Sequence, residues 1–296
     1  MVRKSIWMPD SMSRRRFLTI SAAGIAGAIA TTGCGFTRSE NQFSRAATKW
    51  FSDQTVLANA GPQRTIWSFR NEDGNLGDSA PEKISVEVIN PSGETIQKSE
   101  ATRHIDGVAL PYYPVNAIFP AVGIYEFRFQ TPNHGNYVGF TSPESKNSSS
   151  IFWPGDSFPS LKTPTSDDSA GVSIICTRNP VCPFHKISLD TSLDGTRPTL
   201  LIASTPAFCG TTWMCGPVLE ILIKEIDASN KKIDVIHTEV YANPNSADLG
   251  ELAPIIKATG VAYEPFIFLI DSDGKVLKRL DHIWDRRELQ ELLLIA

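Results

Sequence analysis

The sequence predicts an all-β N-terminal half followed by an α/β C-terminal half, and three observations carry that division. Short alternating runs separated by turn residues fill 61–140 with no helical segment between them, the pattern of a small antiparallel sandwich. A stretch rich in serine and proline follows over 141–170, the composition of a linker between domains. Beyond it, apolar strands alternate with amphipathic helical segments, as in a sheet covered by helices. With 296 residues, 41% of them hydrophobic and 20% charged, the chain has room for two such domains.

Residues 1–33 stand apart from either half. Ser13-Arg14-Arg15-Arg16-Phe17-Leu18 precedes an uncharged, alanine- and glycine-rich run from Thr19 to Thr37, which resembles a twin-arginine export signal. A membrane span is the competing reading of the same run, weakened by its glycines. Ala28-Ile29-Ala30 fits a cleavage site, and Thr31-Thr32-Gly33-Cys34 resembles a lipoprotein box, with Thr31 where leucine is usual. Cys34 is therefore the candidate for lipidation. Residues 34–60 then read as a polar tether from a lipid anchor.

Removing the net +4 of residues 1–33 from the formal −4 of the whole leaves a body near −8. No basic run offsets it, which argues against nucleic acid as a partner.

Within 61–140, Ile84, Val86 and Val88 alternate with polar neighbours before Asn90-Pro91-Ser92-Gly93 breaks the run. Tyr125, Phe127 and Phe129 repeat the pattern, and Asn136 to Phe140 adds a further strand. Tyr112-Tyr113 reads as core, and His104 and His134 carry no assigned role. Gly123-Ile124-Tyr125-Glu126-Phe127 resembles the late strand of immunoglobulin-like modules.

In 171–296 the order is strand, helix, strand, helix, strand, strand, helix. Its elements are Thr199 to Ser204, Pro217 to Asp227, Ile233 to Val240, Leu252 to Thr259, Pro265 to Ile270, Lys275 to Leu280 and Asp285 to Leu294. Asp271-Ser272-Asp273-Gly274 supplies the hairpin turn between the last two strands.

Apart from Cys34, the cysteines are Cys176, Cys182, Cys209 and Cys215. An even number in an exported chain reads first as disulfides, and two local Cys-x5-Cys loops are the economical pairing of the three possible. On one intact helix, Cys209 and Cys215 would lie about 9 Å apart along the axis, beyond the roughly 7 Å that a disulfide tolerates between Cα atoms. Cys209 therefore belongs to a loop before the helix, or the first turn unwinds. A redox pair and a static bridge both fit the spacing. Cys215-Gly216-Pro217 places a thiol at a helix start, where unpaired N–H groups favour a thiolate.

That element order, with Cys215-Gly216-Pro217 opening the first helix and Tyr263-Glu264-Pro265-Phe266 opening the third strand, resembles the thioredoxin superfamily. The resemblance covers about 171–296. It implies a cis-proline at Pro265 shaping a substrate groove, Cys215 as attacking thiolate, Cys209 as resolving thiol, and no organic cofactor. Val218 stands where the family has its second cysteine, and Thr199 to Phe208 lacks the family's buried acid. Glu264 brings negative charge near the thiol instead.

Cys176-Thr177-Arg178-Asn179-Pro180-Val181-Cys182-Pro183-Phe184-His185 reads most simply as a loop closed by a second disulfide, structural or relaying electrons to the first pair. A metal site from Cys176, Cys182, His185, Cys209 and Cys215 is the alternative. Its soft sulfurs, with Met214, suit Cu(I), as in Sco-type copper chaperones that share the thioredoxin-like fold. His237 reads as a strand residue and His282 as a surface residue. The expected function is an exported, membrane-tethered thiol–disulfide oxidoreductase acting on protein thiols and disulfides. The alternative is a Cu(I)-binding or non-catalytic envelope interaction protein with structural disulfides.

Overall fold

The computed structural model describes residues 45–49, 55–207, 214–244, 250–261 and 263–296. The expected export signal, Cys34 and Cys209 lie outside the described residues, as does most of the expected tether. In the first half the strands are β1 (Arg45–Ala46), β2 (Thr48–Lys49), β3 (Leu57–Ala58), β4 (Pro62–Ser68), β5 (Arg70–Asn71), β6 (Gly74–Asn75), β7 (Lys83–Ile89), β8 (Thr95–Thr102), β9 (Tyr113–Ile118), β10 (Tyr125–Thr131), β11 (Gly135–Thr141) and β12 (Glu144–Ser145). In the second half α1 (Leu189–Leu193), β13 (Thr199–Ala203), α2 (Cys215–Ala228), β14 (Asp234–Thr238), α3 (Pro254–Thr259), β15 (Phe266–Ile270), β16 (Val276–Asp281) and α4 (Arg286–Leu294) follow. The protein is β-rich, and no helix among the described residues is long and apolar enough to cross a membrane.

Period-two alternation builds the first half. One sheet runs β1-β11-β10-β7-β8 and another β2-β4-β9. Their inward residues meet in one aromatic core, where Trp67 and Phe69 pack with Tyr113, Phe127, Phe129 and Tyr137. The Trp67 ring lies 4.8 Å from that of Phe127 and 5.1 Å from that of Phe129. Opposite it, β11 carries Gly139, and a Cβ there would fall 2.1 Å from the Trp67 ring. Backbone and indole cannot both stay in place, so Gly139→Ala is expected to lower stability by about 1–3 kcal/mol, the usual cost of overpacking. Urea unfolding would measure it, and an unchanged midpoint would contradict the packing.

The sheet of the second half runs β14-β13-β15-β16, with β13 parallel to β14 and antiparallel to β15. Its central strands are apolar on both faces because helices cover both. Leu200, Ile202, Ile267 and Leu269 pack against Leu219, Leu222, Leu289 and Leu292 of α2 and α4. Leu201, Ala203, Phe266 and Phe268 point the other way, toward Leu189, Ile255 and Ile256 of α1 and α3. Asp285 caps α4, its side chain accepting from the Glu288 N–H. The Glu264–Pro265 and Asn179–Pro180 peptides are cis.

Several expectations need correction. The serine- and proline-rich stretch is packed, with Ile151, Trp153 and Phe158 buried in the core beside α3. Arg279 lies over the Trp153 ring at 4.1 Å. The end of the expected tether is structural too, since Val56 and Leu57 are buried and β3 pairs with β12. Residues 41–296 form one compact unit, because Ile66, Val108 and Tyr112 of the first half enter the core under α2 and α4. His282 is buried, where a surface position was expected. His104 is buried as well, 2.8 Å from Asp285.

Candidate functional site

The loop from Cys176 to His185 is pinned on both sides. Arg178 donates to Glu220 on α2 at 3.2 Å, and the His237 N–H of edge strand β14 donates to the Phe184 carbonyl at 3.1 Å. His237 shares the α2-facing side of β14 with Val235, so its ring points at the loop. The result is a convergence of Cys176, Cys182, His185 and His237, all buried, with potential ligand atoms within 4.8 Å of one another. Cys182 Sγ lies 3.3 Å from His185 Nε2 and 3.4 Å from His237 Nδ1, and those two nitrogens are 3.3 Å apart.

The remaining nitrogens are anchored outside the cluster. His185 Nδ1 faces the Pro164 carbonyl at 3.3 Å, and His237 Nε2 faces the Ser204 carbonyl at 3.0 Å. A hydrogen bond from Cys182 holds the Cys176 thiol far below its ordinary range, with help from His185 and His237. The same bond, with burial, pushes Cys182 up. Beside them Glu239 accepts from the Thr177 N–H at 2.6 Å, and burial pushes its carboxyl up to about 8.

The disulfide expected between Cys176 and Cys182 is not formed: both are free thiols, turned toward two imidazoles. Of the alternative metal set, the structure brings together Cys176, Cys182 and His185. Cys215 is not in the group, and His237 takes part in its place. His185 was legible from its position three residues after Cys182, whereas nothing in the sequence near His237 marks it.

Cys215 is the first residue of α2 and is disulfide-bonded. Its sulfur approaches Glu264 Oε2 to 3.8 Å, and Glu264 accepts from the Thr205 N–H at 2.8 Å. Burial raises the Glu264 carboxyl. Pro265 follows Glu264 and immediately precedes β15. In this disulfide-bonded state the Cys215 side chain is wholly buried, with an exposure of 0%. A sulfur so buried is shielded from a substrate while its disulfide is intact.

No family model matches the sequence, and no curated protein matches it. Among solved structures, the ZirS C-terminal domain is similar over 47% of this chain and 97% of its own, at 12% identity and a TM-score of 0.22. A likeness of that size carries no argument about fold or function.

Proposed function

We propose that this chain is an exported thiol–disulfide oxidoreductase, tethered through a lipid on Cys34. In this reading the second half is thioredoxin-like and the first an immunoglobulin-like sandwich. The observation that carries the chemistry is the disulfide engaging Cys215 at the start of α2, against Glu264 and Pro265. The β14-β13-β15-β16 order, with helices on both faces, supports the thioredoxin-like reading. Two sheets sharing one core support the sandwich.

Cys209 is the partner of Cys215 in this proposal. A substrate thiolate attacks the Cys209 sulfur, the bond to Cys215 breaks, and a mixed disulfide forms. Cys215 leaves as a thiolate at the helix N-terminus, and the Glu264 carboxyl, raised by burial, supplies its proton. A second substrate thiolate then attacks the substrate sulfur of the mixed disulfide and releases Cys209. Two electrons pass from the substrate dithiol to the Cys209–Cys215 pair, and the reverse sequence reduces a substrate disulfide. No organic cofactor takes part.

Insulin provides the test. The wild type is expected to turn over its disulfides, and Cys215→Ser to trap an insulin chain in a mixed disulfide on a non-reducing gel. Cys209→Ser should trap none. Absence of turnover by the wild type, or equal trapping by Cys209→Ser, would overturn the assignment.

A further inference from the structure

We infer that Cys176, Cys182, His185 and His237 form a closed, tetrahedral two-sulfur, two-nitrogen centre for zinc, distinct from the disulfide at Cys215. The sulfurs are not cross-linked, all four residues are at least nine-tenths buried, and their ligand atoms converge on one point. With Zn–S near 2.3 Å and Zn–N near 2.0–2.1 Å, a tetrahedral site requires N···N edges of about 3.3 Å and S···N edges of about 3.5 Å. The corresponding separations are 3.3 Å between the nitrogens and 3.3 and 3.4 Å from Cys182 Sγ to each.

Proton placement points the same way. A backbone carbonyl only accepts, so the Pro164 carbonyl requires a proton on His185 Nδ1. His237 Nε2 faces the Ser204 hydroxyl at 3.1 Å as well as the Ser204 carbonyl at 3.0 Å, and a proton on it satisfies the carbonyl. In the neutral rings, His185 Nε2 and His237 Nδ1 then carry lone pairs, and these face each other. Two lone pairs cannot hydrogen-bond, whereas a cation between them satisfies both. The carbonyls also fix ring orientation, as the outer partners of metal-bound histidines do. On binding, whatever proton the two sulfurs still hold passes to solvent, and two thiolates neutralise the dication. A neutral assembly suits the apolar surroundings of Phe184, Val218 and Leu222.

A set of four protein ligands leaves no position for substrate, which makes this a structural site. It fastens the 176–185 loop to β14. Thr177, next to the ligand Cys176, accepts from the Ala207 N–H at 3.1 Å, so the loop fastened by the metal also braces the chain leading toward Cys209.

The test uses the full chain, stripped of metal and titrated with Co(II) and with Zn(II). One equivalent of cobalt should give the visible bands of a tetrahedral site together with a thiolate charge-transfer band, and zinc should bleach both. Zinc should also shield Cys176 and Cys182 from alkylation. His237→Ala and Cys182→Ser are expected to lose more than about 100-fold in zinc affinity, since even outer partners are worth 10–100-fold. His134→Ala, at a half-buried position outside the cluster, should lose nothing. Cobalt binding without a charge-transfer band, cobalt bands of octahedral type, or unchanged affinity in His237→Ala would overturn the inference. The wild-type spectrum decides it even where a variant fails to fold, and insulin turnover, read separately, does not bear on it.

Discussion

Glu288→Ala is expected to destabilise the protein by about 3–5 kcal/mol, the cost of leaving a buried charge without its partner. Arg64 on β4 reaches α4 with both arms of its guanidinium. Its Nε donates to Glu288 Oε1 and its Nη2 to Oε2, each at 2.6 Å. The two side chains are only 9% and 8% exposed, so little water screens the pair or compensates for its loss. Burial works against the Arg64 charge, but the Glu288 carboxylate and its hydrogen bonds raise the pKa of Arg64 overall. The Tyr112 hydroxyl donates to the same carboxylate, and Arg64 also donates to the Asp281 carbonyl at 3.1 Å. Alanine at 288 therefore leaves a buried guanidinium without its counter-charge and a phenol hydroxyl without its acceptor. The apolar double substitution Arg64→Met with Glu288→Leu should recover most of the loss, since neither charge of the pair then stays buried. Urea unfolding of the three variants measures both. A loss below about 1 kcal/mol in Glu288→Ala would place the pair among weakly contributing surface bridges.

That contact was invisible in the sequence because Arg64 and Glu288 are 224 positions apart, and neither interrupts its local pattern. What spacing records is local. The alternation at Ile84, Val86 and Val88 and at Tyr125, Phe127 and Phe129 did mark strands whose apolar sides are buried. Asp271 to Gly274 did mark a turn, with Asp271 accepting from the Lys275 and Asp273 N–H groups. Composition misled where few residues outweighed many. Ile151, Trp153 and Phe158 decide the packing of 141–170, although serine and proline dominate its count.

The thiol and histidine cluster divides the same way. Cys182 and His185 are three apart and could be read together. His237 comes from a strand 52 positions beyond His185. Only the parity of β14 turns it toward the Cys176–His185 loop, and parity does not identify what lies opposite. The disulfide expected at Cys176 and Cys182 followed from even counting. Free sulfurs facing imidazoles require knowing which strand the loop lies against.

His282 should make the protein sensitive to mild acid. Burial holds its imidazole down to a pKa of about 2, with the positive charges of Arg64, Arg279 and Lys49 acting in the same direction. Tyr263 stacks on the ring at 4.2 Å. The unfolded chain titrates this group near 6.5. Above that pH neither state is protonated and the native state keeps its full stability. As the pH falls from 6.5 toward 2, the unfolded state gains a proton that the folded state refuses, and stability drops by about 1.4 kcal/mol per pH unit. At pH 5 the contribution is about 2 kcal/mol.

Asparagine is the informative replacement for His282, because the residue sits at φ 63°, in the left-handed region that asparagine tolerates. Unfolding measured between pH 7.5 and 5, with chelator present so that metal loss at Cys176 and its neighbours does not enter, should give a steeper decline for the wild type than for His282→Asn. The difference in slope, not the offset left by the missing ring, is the quantity to read. Parallel curves would mean that His282 gains its proton within the fold, which its burial beside Arg279 and Arg64 opposes.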